Sequence, residues 1–86
     1  MKALTAKKFD KKFKKLRASE KDSFDERLEI FIENPNDPVL NNHALKGKKK
    51  WHFSINITGD LRAIYTFVEK DVVMFVEIDT HSNLYQ

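Results

Sequence analysis

Two histidines and a set of cations stand out as groups able to move protons and answer negative charge. His43 sits in Asn42-His43-Ala44-Leu45-Lys46-Gly47, and His81 follows the last apolar run in Asp79-Thr80-His81-Ser82-Asn83-Leu84-Tyr85. Joined by a carboxylate and lysines, they are the parts for metal-free cleavage of RNA. In that reaction a 2'-hydroxyl attacks the adjacent phosphate, so a base must take its proton and an acid must protonate the departing 5'-oxygen. A cation must also steady the charged phosphorane. Histidine suits either proton transfer because imidazoles titrate near neutrality. The alternative, His43, His52 and His81 as metal ligands, has a spacing that matches no metal-binding motif. No metal and no cofactor is therefore expected.

Composition narrows the setting. Eighty-six residues make a single domain spanning 1–86, because two cores could not each be stable at half that size. A hydrophobic fraction of 41% with seven Phe suits a small two-layer core but not a cofactor-enclosing cavity. The absence of cysteine excludes disulfide scaffolds, thiolate zinc sites and thiol catalysis, and fits a reducing cytoplasm. No apolar run approaches a membrane span and no signal peptide is evident, so a soluble cytoplasmic protein is expected. The net charge of +3 conceals two clusters. Lys7, Lys8, Lys11, Lys12, Lys14, Lys15 and Arg17 form one, and Lys46, Lys48, Lys49 and Lys50 the other, together eleven of the sixteen bases.

The elements that must position these groups are legible. Residues 2–5 suggest a short first strand, after which Phe9, Phe13 and Leu16 recur at helical spacing. Phe24, Leu28 and Phe31 repeat that spacing in a second helix, with Ser19 and Asp22 or Ser23 and Glu26 as a capping box and Asn34-Pro35 as its stop. Acids concentrate on this second helix, which predicts that it balances the lysines of the first. Residues 34–50 read as a long connection. Trp51, Phe53, Ile55 and Ile57 then alternate with polar residues, and runs 61–68 and 72–79 continue as strand. The fold class is α+β, with two N-terminal helices on one face of a small, mainly antiparallel sheet in the order β-α-α-β-β-β.

Parity assigns the faces. A three-residue loop at 58–60 sets Ile57 against Leu61, Ile55 against Ala63 and Phe53 against Tyr65, with Asn56 opposite Arg62 on the other face. A two-residue loop at Lys70-Asp71 sets Phe67 against Met74, Tyr65 against Val76 and Ala63 against Ile78, and Arg62 against Asp79. One face is a core. The other collects Ser54, Asn56, Arg62, Glu77, Asp79 and, one period further, His81. Trp51 alternates with the core residues and is expected to pack, not to serve as a base platform.

The blocks Asn42-His43-Ala44-Leu45-Lys46-Gly47, Gly59-Asp60-Leu61-Arg62-Ala63-Ile64-Tyr65 and Thr80-His81-Ser82-Asn83-Leu84-Tyr85, in that order, resemble the YafQ-type branch of the RelE superfamily, the toxins of type II toxin–antitoxin modules. The likeness covers essentially the whole chain. It implies an mRNA endoribonuclease that acts on ribosome-bound message, inhibits translation and is held by a cognate antitoxin, with DNA met only through that antitoxin. By the resemblance, His43, Asp60, His81 and Tyr85 match the family's catalytic positions, and Arg62 matches an arginine at the scissile phosphate. YafQ-type members often carry an acid and a further histidine where this chain has Ser54 and Asn56. Those two can hydrogen-bond to RNA but cannot transfer protons near neutral pH. Lys46, Lys48, Lys49 and Lys50 adjoin His43 and are expected to bind phosphate.

Plainer roles compete with each assignment. His43 could hydrogen-bond its own loop, Asp60 could serve its turn, and Arg62 could form a cross-strand ion pair with Asp79. The resemblance also leaves two other readings: a ParE-like toxin that binds gyrase without catalysis, or a weakly active member that mainly binds its antitoxin.

Overall fold

A computed structural model describes residues 1–84; Tyr85 lies outside the described residues. The chain runs β1 (Lys2–Thr5), α1 (Lys7–Lys14), α2 (Ala18–Glu33), β2 (His43–Ala44), β3 (His52–Asn56), β4 (Leu61–Glu69), β5 (Val72–Thr80) and α3 (His81–Leu84). The sheet order is β1-β5-β4-β3-β2, with β1 parallel to β5 and every other pair antiparallel. This is the expected α+β architecture, with two additions: a two-residue edge strand inside the long connection and a short terminal helix. No described helix is long and apolar enough to cross a membrane.

Helical spacing does what it should. Phe9 and Phe13 of α1 and Phe24 and Phe31 of α2 turn onto the sheet, where they meet Tyr65 and Phe75 in a chain of ring contacts with centroids 4.8–5.9 Å apart. Offset and edge-on rings of this kind add to the stabilisation from burial alone. The start of α2 differs from expectation. Arg17 is the N-cap, its backbone N–H donating to Glu20 Oε1 at 3.0 Å, while Ser23 lies inside the helix and donates to the Ser19 carbonyl. The lysines of α1 also turn elsewhere than predicted. Lys8 pairs with Glu77 at 2.6 Å and Lys12 with Asp79, so the basic helix is answered by the last strand.

Between β3 and β4 the register is the one parity required, with Phe53 opposite Tyr65, Ile55 opposite Ala63 and Asn56 opposite Arg62. Between β4 and β5 it is only partly so. Ala63 faces Ile78 and Arg62 faces Asp79, but Tyr65 faces Phe75 and Phe67 faces Val73. Two irregularities cause this. An extra residue on β4 after Phe67 slips the ladder by one, and an extra residue on β5, Val76, slips it back. The slip brings fully buried Val73 and Phe75 into the core in place of Met74 and Val76. A bulky ring fits the gap between the helices and the sheet better than either. Because the slips cancel, the polar rows at the far end keep their predicted register.

The long connection is anchored at both ends. Leu40 is fully buried, and Arg27 of α2 donates to the Val39 carbonyl at 2.8 Å. The buried Tyr65 hydroxyl donates to Asn42 Oδ1 at 2.9 Å, and Asn42 Nδ2 donates to the Pro35 carbonyl at 3.0 Å. Burial pushes the Tyr65 phenol above its usual range, against the smaller opposing effect of the Asn42 bond. Tyr65→Phe is expected to cost about 1–2 kcal/mol, since it strands the Asn42 oxygen. Hydrogen exchange at Asn42 to Leu45 should quicken together with the fall in urea midpoint.

Trp51 does not pack. Its side chain is 74% exposed, because its backbone adopts φ +72° and leaves the strand alternation just before β3 begins.

Candidate active site

Strand registers set two rows across the polar side of the sheet: Ser54, Ile64 and Glu77 in one, Asn56, Arg62 and Asp79 in the other. The second row ends beside the 58–60 turn. There Thr58 Oγ1 accepts the backbone N–H groups of Asp60 and Leu61 at 3.3 and 3.0 Å. The turn's carbonyls point at Arg62. Its Nη1 donates to the carbonyls of Thr58 and Leu61 at 3.0 and 3.2 Å, and its Nη2 to that of Gly59 at 3.2 Å. The His81 backbone N–H donates to the Asp60 carbonyl at 2.8 Å. Asp60, Arg62 and His81 therefore share one turn.

The predicted Arg62–Asp79 ion pair does not form, although the two residues are cross-strand partners. Asp79 is occupied. Lys12 takes one carboxylate oxygen, and the other accepts the Thr80 N–H at 2.8 Å and Asn83 Nδ2 at 2.9 Å. Thr80 Oγ1 in turn accepts the Asn83 N–H at 3.2 Å, closing the turn that carries His81. Asp79 thus fixes the C-terminal histidine and leaves Arg62 bound to carbonyls only. Among the described residues no carboxylate neutralises this guanidinium, which keeps its full charge and part of its five-donor fork for an anion.

The carboxylates of the two rows carry their own signature. Partial burial works to raise Glu77, but ion pairs from Lys49 and Lys8 outweigh it and hold the carboxyl below its usual range. Burial likewise opposes, and Lys12, Asn83 and the Thr80 N–H overcome, in lowering Asp79. The ordinary values are 4.5 and 3.8. Folded values below these mean that the stabilisation is complete above them and is lost as pH falls through the lowered folded values. Acid unfolding followed by circular dichroism should therefore steepen on that side, and Glu77→Gln should flatten the profile while lowering stability at neutral pH.

The other predicted residues lie apart from this turn. His43 is exposed on the edge strand β2, opposite Ser54, and borders a separate groove lined by Pro35, Asn42, Phe53, Tyr65 and Phe67. Its Nδ1 lies 2.8 Å from the Asn41 carbonyl and donates to it. The loop-bonding role weighed from sequence is present in the structure. Two strands separate β2 from β5, so about 14 Å of sheet lies between His43 and the strand that ends at His81. The structure does not bring the two histidines together. Ser54 is fully buried and its hydroxyl lacks a partner. Across the same row Lys49 pairs with Glu77 at 2.6 Å. Ser54 thus does not reach the surface where RNA binding was expected. Asn56 is half-buried beside Arg62, its Oδ1 likewise without a partner. Lys46, Lys48 and Lys50 are exposed, and Lys49 is engaged with Glu77.

Sequence reasoning missed the groove along α1. Lys8, Lys11, Lys12 and Lys15 line an open groove of about 450 Å³ with Leu61, Ile78, Asp79 and Thr80, next to the turn. Their spacing on a single helical face was visible, but that this face borders the last strand was not. Among the described residues no grouping of three or more His, Asp or Glu is arranged to hold a metal.

No protein-family model matches the sequence, and no curated protein is recognisably similar to it. Solved structures do resemble it. A Helicobacter pylori toxin, solved as a copper-bound point mutant, shares 27% identity over 99% of both chains with a TM-score of 0.74. YafQ from E. coli strain BL21(DE3) shares 20% over 98% of this chain and 97% of its own, at 0.78. YafQ in the E. coli DinJ–YafQ toxin–antitoxin complex shares 20% over 98% and 96%, at 0.75.

Proposed function

We propose that this chain, which has the YafQ-type fold of the RelE superfamily, is the toxin of a type II toxin–antitoxin pair and acts as an mRNA endoribonuclease on ribosome-bound message. The observation that carries the reading is the shared turn of Asp60, Arg62 and His81, with a guanidinium that no described carboxylate neutralises. A phosphate seated against Arg62 would lie at the turn that contains Asp60 and bonds the His81 backbone. Asp60 takes the proton of the attacking 2'-hydroxyl. The oxygen closes on phosphorus, Arg62 steadies the phosphorane, and His81 gives its proton to the departing 5'-oxygen. The products are a 2',3'-cyclic phosphate and a 5'-hydroxyl. His43, across the sheet, has the role of holding RNA beyond the scissile phosphate. The toxin role and an antitoxin partner are supported by the likeness to YafQ, whose complex with DinJ has the same fold.

The test is expression without any antitoxin, followed by end-mapping of cellular mRNA and cleavage of labelled message with and without ribosomes. Growth arrest with cyclic-phosphate ends is expected. Arrest with intact message and blocked gyrase supercoiling would establish the ParE-like alternative instead. Growth without arrest would refute the toxin reading altogether.

A further inference from the structure

Trp51 breaks two rules together. A large aromatic is normally buried, yet this one is 74% exposed. A non-glycine residue also avoids left-handed backbone, yet Trp51 has φ +72°. The same loop shows the ordinary solution four residues earlier, where Gly47 adopts φ +71° at no steric cost. Strain accepted at an exposed ring, where packing gains nothing, is the pattern of a side chain kept for contact. The strained residue is also held firmly. Thr66 Oγ1 donates to the Trp51 carbonyl at 2.8 Å, and His52 Nδ1 bonds the Lys50 carbonyl at 3.1 Å. The ring is thus presented on a fixed turn.

Its surroundings indicate the partner. Lys50 Nζ stands 5.3 Å from the ring centroid, and Lys46 and Lys48 are exposed in the same loop. Cations around an accessible indole suit a ligand that brings a flat π-face and a phosphate in one unit. We propose that Trp51 is a stacking platform for an unpaired RNA base, with Lys46, Lys48 and Lys50 holding the flanking phosphates. This rests on the endoribonuclease reading and extends it. Trp51 precedes β3, whereas Arg62 lies opposite Asn56 at the other end of that strand, about 16 Å away at strand rise. The stacked base is therefore not at the cut but flanks it. It governs how tightly the message is held and which base is preferred there.

Trp51 is the only tryptophan in the chain, so its fluorescence reports the contact directly. The probe is a single-stranded RNA oligonucleotide with 2'-O-methyl groups, which lacks the attacking hydroxyl, and binding is followed in parallel by anisotropy of an end label. Binding should quench the tryptophan. Trp51→Gly should weaken binding roughly 5- to 100-fold while melting no lower than the parent, because glycine relieves the strained backbone. Trp51→Phe should keep most of the affinity, and with cleavable RNA the loss should fall on KM and not kcat. RNA binding with unmoved emission, or equal binding by Trp51→Gly, would overturn this proposal and leave the nuclease reading standing. Emission that responds to an antitoxin but not to RNA would overturn it in favour of a protein contact. If the parent bound no RNA even at low salt, this proposal would fall, and cleavage of message on ribosomes would decide the nuclease reading separately.

Discussion

His81→Ala is expected to lower RNA cleavage by roughly 10²–10⁴-fold, the range lost when a positioned general acid is removed. The bond tying His81 to the active turn is made by its backbone N–H, to the Asp60 carbonyl. Alanine keeps that bond. The turn is closed by Asp79, Thr80 and Asn83, which the substitution leaves in place. Single-turnover cleavage of a labelled message by the purified variant is the measurement. The deficit should persist at saturating RNA, because a proton donor acts after binding. His43→Ala makes the natural control, since about 14 Å of sheet separates its strand from β5. It should raise KM more than it lowers kcat. If His81→Ala cleaved at the parent rate, the acid would have to be sought elsewhere on the face.

Phe75→Ala should cost about 3–5 kcal/mol, enough to leave much of a domain this small unfolded at physiological temperature. Phe75 is fully buried and touches the rings of Phe9, Phe24, Phe31 and Tyr65, so it joins both helices to the sheet. Removing it opens a cavity that no neighbour can collapse into, as the surrounding rings are themselves locked by their contacts. Val76→Ala, one residue along, should cost about 1 kcal/mol or less, because Val76 is the half-buried extra residue of the bulge. Urea denaturation of the pair tests the register itself. Plain strand alternation ranks Val76 as core and Phe75 as surface, and predicts the opposite order.

Phe75 and Val76 mark where local pattern stops being informative. Apolar spacing located both helices and three strands, and loop length set the β3–β4 register, because both depend on local periodicity. The two bulges lie beyond periodicity: they answer to the shape of the gap under Phe9, Phe24 and Phe31, which exists only after the helices dock. The site divides the same way. Asp60, Arg62 and His81 were recognisable as residue types in a familiar order, and the turn that unites them follows from correct pairing. The Arg62–Asp79 pair failed because cross-strand proximity does not say which third group arrives first. Here Lys12 and Asn83 do. Trp51 failed because nothing in an alternating pattern reveals a left-handed residue.

The parallel pairing of β1 with Val72 to Phe75 also dictates when the molecule can come into being. Synthesis delivers β1 ahead of both helices and the other strands, and its hydrogen-bonding partner β5 only after β4. β1 must therefore wait, unpaired, while the helices and the β2, β3 and β4 strands are made. The Lys12–Asp79 pair and the His81–Asp60 bond wait likewise. A nascent chain that has not reached β5 has neither a closed sheet nor a joined turn, and one cut short before that strand never acquires them. Arrival of β5 and of His81 behind it is thus itself the event that assembles the site.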